Sequence, residues 1–173
     1  MGPGVEYRRS NTLSADMPAE MGLRFFHVAA GFVGLALGPI VMWAPKTGRL
    51  HPRIGDWYFF VVTASCVSAA ALAALDLARL WFFLVAAVGT YVFALPGYLA
   101  AKRRRDGWLL IHVVGVTSSY SGLVIAFLVT NIRWILGTPN ISFAVRLVAP
   151  MFVSTCIVAW VGWQVHRGRL PKQ

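Results

Sequence analysis

The chain has 173 residues, 58% hydrophobic and 13% charged, and its 16 Lys and Arg against 6 Asp and Glu give a formal net charge of +10. A water-soluble domain carries about 25% charged residues, so an ordinary soluble fold is excluded. Three of the six acids (Glu6, Asp16, Glu20) fall in the first twenty residues, which leaves little material for paired-carboxylate catalysis.

Residues 1–20 form a polar tail of mixed charge with no apolar core of the kind a cleavable signal needs. Five apolar stretches follow, at 21–43, 57–75, 81–101, 108–130 and 141–165. A hydrocarbon core of about 30 Å takes ~20 apolar residues per helical crossing, and each stretch is close to that length or exceeds it. The pattern predicts an all-α bundle of five transmembrane helices over residues 21–166, with a basic tail at 167–173.

The first crossing carries Arg24 and His27, then small residues at four-residue spacing (Ala30, Gly34, Gly38), Pro39 and the boundary residue Trp43. A loop with Lys46, Arg49, His51 and Arg53 leads to the second crossing, which opens at Trp57 and carries a second small stripe, Ser65, Ala69 and Ala73. Such stripes let helix backbones approach where lipid supplies no hydrophobic drive. Asp76-Leu77-Ala78-Arg79 reads as a tight hairpin in which Asp76 and Arg79 pair across one turn. The third crossing runs from Trp81 through Pro96 to the cationic stretch Lys102–Arg105. The fourth opens at Trp108 and holds His112, Gly115 and the hydroxyl run Thr117-Ser118-Ser119-Tyr120-Ser121. Those hydroxyls are expected to bond to carbonyls one turn earlier or to a neighbouring helix. The fifth has Arg146 near its start, Pro150 in its first half, and Trp160, Trp163 and His166 near its end. Pro39, Pro96 and Pro150 are expected to kink their helices. Cys66 and Cys156, each near mid-crossing with no CxxC, are expected to act as small apolar residues.

Five crossings put the two ends of the chain on opposite sides. One side receives ten basic residues: Lys46, Arg49, Arg53, Lys102, Arg103, Arg104, Arg105, Arg167, Arg169 and Lys172. Short Lys/Arg-rich loops stay cytoplasmic, which places the N-terminus outside and the C-terminus inside a bacterial cytoplasmic membrane. The positive charge is then accounted for by topology and anionic headgroups, and nucleic acid is not an expected partner.

Ionisable groups at membrane depth are costly and therefore mark candidate sites. His51, His112 and His166 share the inner side and could ligate a metal, or a haem b held by imidazoles. His27 and His112 lie near opposite faces, at depths ~12–18 Å apart, too far for one iron. Arg24, Arg146 and Tyr120, with His27 and Asp76, form a second polar set suited to an anionic lipid group or a quinone oxygen. The chain has no Walker loop, HExxH, GxSxG or GxGxxG opening a helix, so no catalytic residue is assigned and an enzyme acting on a soluble substrate is not expected.

His27 with Gly31 and Gly38-Pro39, then Leu50-His51 with Gly55 and Tyr58, then Lys102–Arg105 leading to His112 and Ser119-Tyr120, form a pattern over about residues 23–133. It resembles the bacterial membrane family called domain of unknown function 2306, with its L-H-R-x-x-G-R-x-Y and H-R-x-W-M-x-R-S-Y segments. Pro52, Gly115-Val116 and Ser118 depart from those segments. The resemblance implies no activity; it marks His27, His51 and His112 as cofactor-binding candidates. The small-residue stripes and the lack of soluble catalytic motifs lead instead to the expectation of a small, non-enzymatic accessory or structural subunit acting through lipids and a membrane-protein partner or oligomer. The alternatives are a haem- or metal-binding redox protein using the inner-side histidines, and a quinone or lipid pocket near Arg146 and His27.

Overall fold

A computed structural model describes residues 3–46, 48–138 and 140–168, with side chains from residue 18 onward. Five helices follow in order: α1 (Pro3–Trp43), α2 (Leu50–Leu75), α3 (Leu77–Arg103), α4 (Trp108–Ile135) and α5 (Phe143–His166). Each is long and apolar enough to cross a membrane, α1 over Pro18–Trp43. Among the described residues there is no strand.

The helices overrun the apolar stretches that announce them. α2 begins at Leu50 rather than Trp57, α4 continues to Ile135 rather than Thr130, and α1 begins within the polar tail. α2, α3 and α4 have 26, 27 and 28 residues. At 1.5 Å per residue that is about 40 Å, longer than a hydrocarbon core of about 30 Å. A helix ends where its backbone finds a cap or a turn, not where its side chains stop being apolar. α2 and α3 are joined by Asp76 alone, whose side chain accepts from the Arg79 N–H at 3.2 Å and caps α3. Arg79 Nε stands 3.7 Å from Asp76 Oδ2, the expected pair. Ser142 caps α5, accepting from the Val145 N–H at 3.3 Å.

Consecutive helices are antiparallel neighbours, and α1 also packs on α4, so α1–α4 close into a four-membered ring. α5 packs its backbone against α4 only, with Phe143 touching Phe82 edge-on (5.4 Å), and none of its residues is buried. The ring is drawn together by missing side chains. A Cβ on Gly115 would lie 2.7 Å from Gly97 Cα and 2.7 Å from the Phe93 carbonyl oxygen, so α3 and α4 meet backbone to backbone. Gly122 lies against Thr90, Gly34 against Leu123, and Gly38 against the face of Tyr120. Ser65, Ala69 and Ala73 of α2 are buried. Phe32 and Phe127 complete the α1–α4 seam at 5.9 Å. α2 and α4 run parallel on the diagonal of the ring, and their backbones do not touch.

The helices run through Pro39, Pro96 and Pro150. Proline supplies no N–H, so the carbonyl four residues earlier loses its helical donor. At Pro39 that carbonyl is Leu35, and the Tyr120 hydroxyl donates to it from α4 at 3.4 Å. Pro45, just past α1, likewise leaves the Val41 carbonyl without a helical donor.

Candidate functional site: an imidazole pair on the bundle diagonal

The Val41 carbonyl is filled by a histidine. His51 Nδ1 lies 3.0 Å from it, tying the first turn of α2 to the last turn of α1. His112, in the second turn of α4, reaches the Gly97 carbonyl of α3 in the same way at 2.9 Å. The close contact of Gly97 with Gly115, one turn beyond His112, brings that carbonyl into range. A carbonyl oxygen only accepts, so Nδ1 carries the hydrogen in both rings and, in the neutral imidazole, Nε2 keeps a lone pair.

These two histidines meet across the diagonal. Their ring centres are 6.4 Å apart and their planes stand at 85°. Seven residues further along each helix, Tyr58 and Ser119 meet in the same register: the Tyr58 hydroxyl and Ser119 Oγ are 3.2 Å apart. Ser119 donates to the Val116 carbonyl at 2.9 Å, so Tyr58 is the donor to Ser119. Ser119 therefore bonds both one turn back and across the bundle, as the hydroxyl run predicts. Val62 and Ser119 are fully buried at this level, which closes the bundle core behind the imidazoles.

Around the pair, the basic end is held by charge and rings. Lys102 Nζ bonds Asp56 Oδ1 at 2.7 Å and lies 5.2 Å from the Tyr98 ring, which stacks on Phe59 at 4.0 Å. Trp108 lies 6.1 Å from His112 and carries the Arg104 guanidinium at 5.3 Å. Lys46, in the loop after α1, donates to the Met42 carbonyl at 2.8 Å and stands within electrostatic range of both imidazoles. Partial burial holds its ammonium below the usual lysine value.

The other sequence candidates fall elsewhere. His27 bonds through Nδ1 to the Ser65 carbonyl and Ser68 Oγ, both at 3.1 Å, joining α1 to α2 far from the pair. Among the described residues no three His, Cys, Asp or Glu side chains gather closely enough to hold a metal ion, so His166 is not brought to His51 and His112. Arg24, Arg146 and Tyr120 are also dispersed. Arg24 pairs with Glu20 at 2.6 Å on the surface. Arg146 donates to the Val129 carbonyl at 2.7 Å and lies 5.6 Å from the Phe143 ring. Tyr120 sits nine residues, about 13 Å, along α4 from Val129. Cys66 is buried and Cys156 exposed, both free.

Sequence reasoning placed His51 and His112 on one side but missed the carbonyls that orient them. The signal was present: a proline four residues after Val41, and glycines at 97 and 115 flanking His112. No family model matches this chain, and no curated protein or solved structure is significantly similar to it.

Proposed function

We propose that this chain is a multi-pass protein of the bacterial cytoplasmic membrane that holds a redox-active metal centre between His51 and His112. One observation carries this reading: two imidazoles from diagonal helices meet at 6.4 Å with each Nδ1 already occupied by a main-chain carbonyl. That is the support metal-ligating histidines receive, with the far nitrogen fixed by a carbonyl and the near one free. With bonds of about 2 Å and about 1.1 Å from nitrogen to ring centre, two trans imidazoles on one metal stand roughly 6 Å apart. At a tetrahedral angle the spacing falls to roughly 5 Å. The separation here would let one metal ion bond both imidazoles.

An accessory-subunit role was motivated by the stripes of small residues. Gly34, Gly38, Ser65, Ala69, Ala73 and Gly115 are taken up inside the chain, so they offer no stripe to a partner. Among the described residues none of α5 is buried, so this rim helix keeps a whole face for lipid or another protein. For a quinone or lipid pocket near Arg146 and His27, Arg146 is engaged by the Val129 carbonyl and His27 by Ser65 and Ser68. The resemblance to domain of unknown function 2306 marks both of these histidines, and His27 with them.

Protein purified in mild detergent from metal-replete cells is expected to carry close to one equivalent of iron or copper per chain, by elemental analysis. Metal-free protein from such cells would overturn the assignment. The metal would lie at the cytoplasmic end, with the N-terminus outside. Reporters fused at the two chain ends are therefore expected to register opposite compartments, and signals from one compartment would remove that orientation.

A further inference from the structure

We infer that the occupant of the His51–His112 site is an iron tetrapyrrole with carboxylate side chains, one of which is taken by Lys46. The inference rests on the two-imidazole reading above and names what that site binds.

Three observations carry it. The first is the number of ligands. Copper(II) and zinc sites draw three or four donors from the protein, whereas a tetrapyrrole brings four equatorial nitrogens of its own and asks for two axial ones. Among the described residues the pair has no third His, Cys, Asp or Glu to join it. The second is placement. The imidazoles come from α2 and α4, whose backbones do not touch, so what lies between them is side chain rather than packed helix. Along the bundle axis the next rung, Tyr58–Ser119, is seven residues deeper, about 10 Å. The imidazoles stand at the bundle end that carries Lys102 and Arg104, where a macrocycle's acid edge would meet cations. The third is charge. Among the described residues, Lys102 already has Asp56, whereas Lys46 has a main-chain carbonyl and no carboxylate. Lys46 belongs to the loop between α1 and α2, five residues before His51 and at the same end of the bundle. A carboxylate arriving with the ligand completes it.

The ring planes supply an independent signature. Each imidazole is held by a carbonyl of a different helix, so the 85° between the planes is set by the backbone and persists with iron bound. Crossed axial imidazoles give ferric haem a single, highly anisotropic low-spin resonance in place of a three-line rhombic one.

The test uses full-length protein in mild detergent, titrated separately with ferric protoporphyrin, its dimethyl ester and cuprous ion. One haem per chain is expected, six-coordinate and low-spin, with the highly anisotropic resonance. His51→Ala and His112→Ala, checked for retained helicity and monodispersity, are expected to convert it to a high-spin form. Should both fail to fold, His112→Met keeps the test open, because a thioether in place of one imidazole shifts the visible bands. Lys46→Met is expected to weaken haem binding about threefold, as for a partly exposed ion pair, and to leave the dimethyl ester unaffected. Stoichiometric cuprous binding without haem uptake would overturn the tetrapyrrole while sparing the two-imidazole site. Uptake of neither would remove both. Equal effects of Lys46→Met on acid and ester would overturn the role of Lys46, and a rhombic resonance the fixed crossing of the rings.

Discussion

Gly115→Ala is expected to destabilise the bundle by about 1–3 kcal/mol and to loosen the metal site with it. The added Cβ would stand 2.7 Å from Gly97 Cα and 2.7 Å from the Phe93 carbonyl oxygen. Both are main-chain atoms, which cannot swing aside as a flexible side chain can, so α4 must move as a body. Because His112 lies three residues before Gly115 on the same face, that movement draws its ring away from the Gly97 carbonyl. Gly89→Ala is the control. A Cβ at position 89 meets nothing within 4 Å, and alanine is the better helix former by about 1 kcal/mol. Detergent-resistance or thermal unfolding of the two variants should therefore move in opposite directions. A Gly115→Ala protein as stable as its parent would mean that α3 and α4 do not meet backbone to backbone.

His112→Ala is expected to lower metal affinity ~100-fold or more, since removing even a group that merely orients a ligand costs 10–100-fold. His51→Ala should match it. His27→Ala and His166→Ala should retain the metal. His27 is committed to Ser65 and Ser68 on another part of the bundle, and His166 is not gathered with the pair. Competition with a chromogenic chelator reads all four variants on one scale. Loss of metal in His166→Ala equal to that in His112→Ala would displace the site toward α5.

Five crossings were legible because hydrocarbon imposes a length, and the helices stand where the apolar stretches lie. The helix ends were less legible, because the polar turns around His51, Arg53 and Asp56 continue α2 without looking apolar. The Asp76–Arg79 turn was readable because its two residues are local. The closure of α1 on α4 was not, since it depends on Gly34 and Gly38 finding Leu123 and Tyr120 some ninety residues away. Side and depth sufficed to associate His51 with His112, and in the same way drew in His166. Separating them required knowing that α5 stands outside the ring. Arg24, Arg146 and Tyr120 were drawn together by their polarity at membrane depth, and hydropathy does not encode the face to which each one turns.

A proline just beyond the first helix has a consequence for how this protein would answer to mutation. The atom that orients His51 belongs to the main chain of residue 41, and replacing the valine side chain there leaves it in place. A scan that truncates side chains one by one would pass over the anchor and find only what it holds. Its sensitive point lies four positions downstream, where any residue other than proline brings an amide hydrogen able to claim the same oxygen. The imidazole would then be free to turn without a single contact atom having been removed.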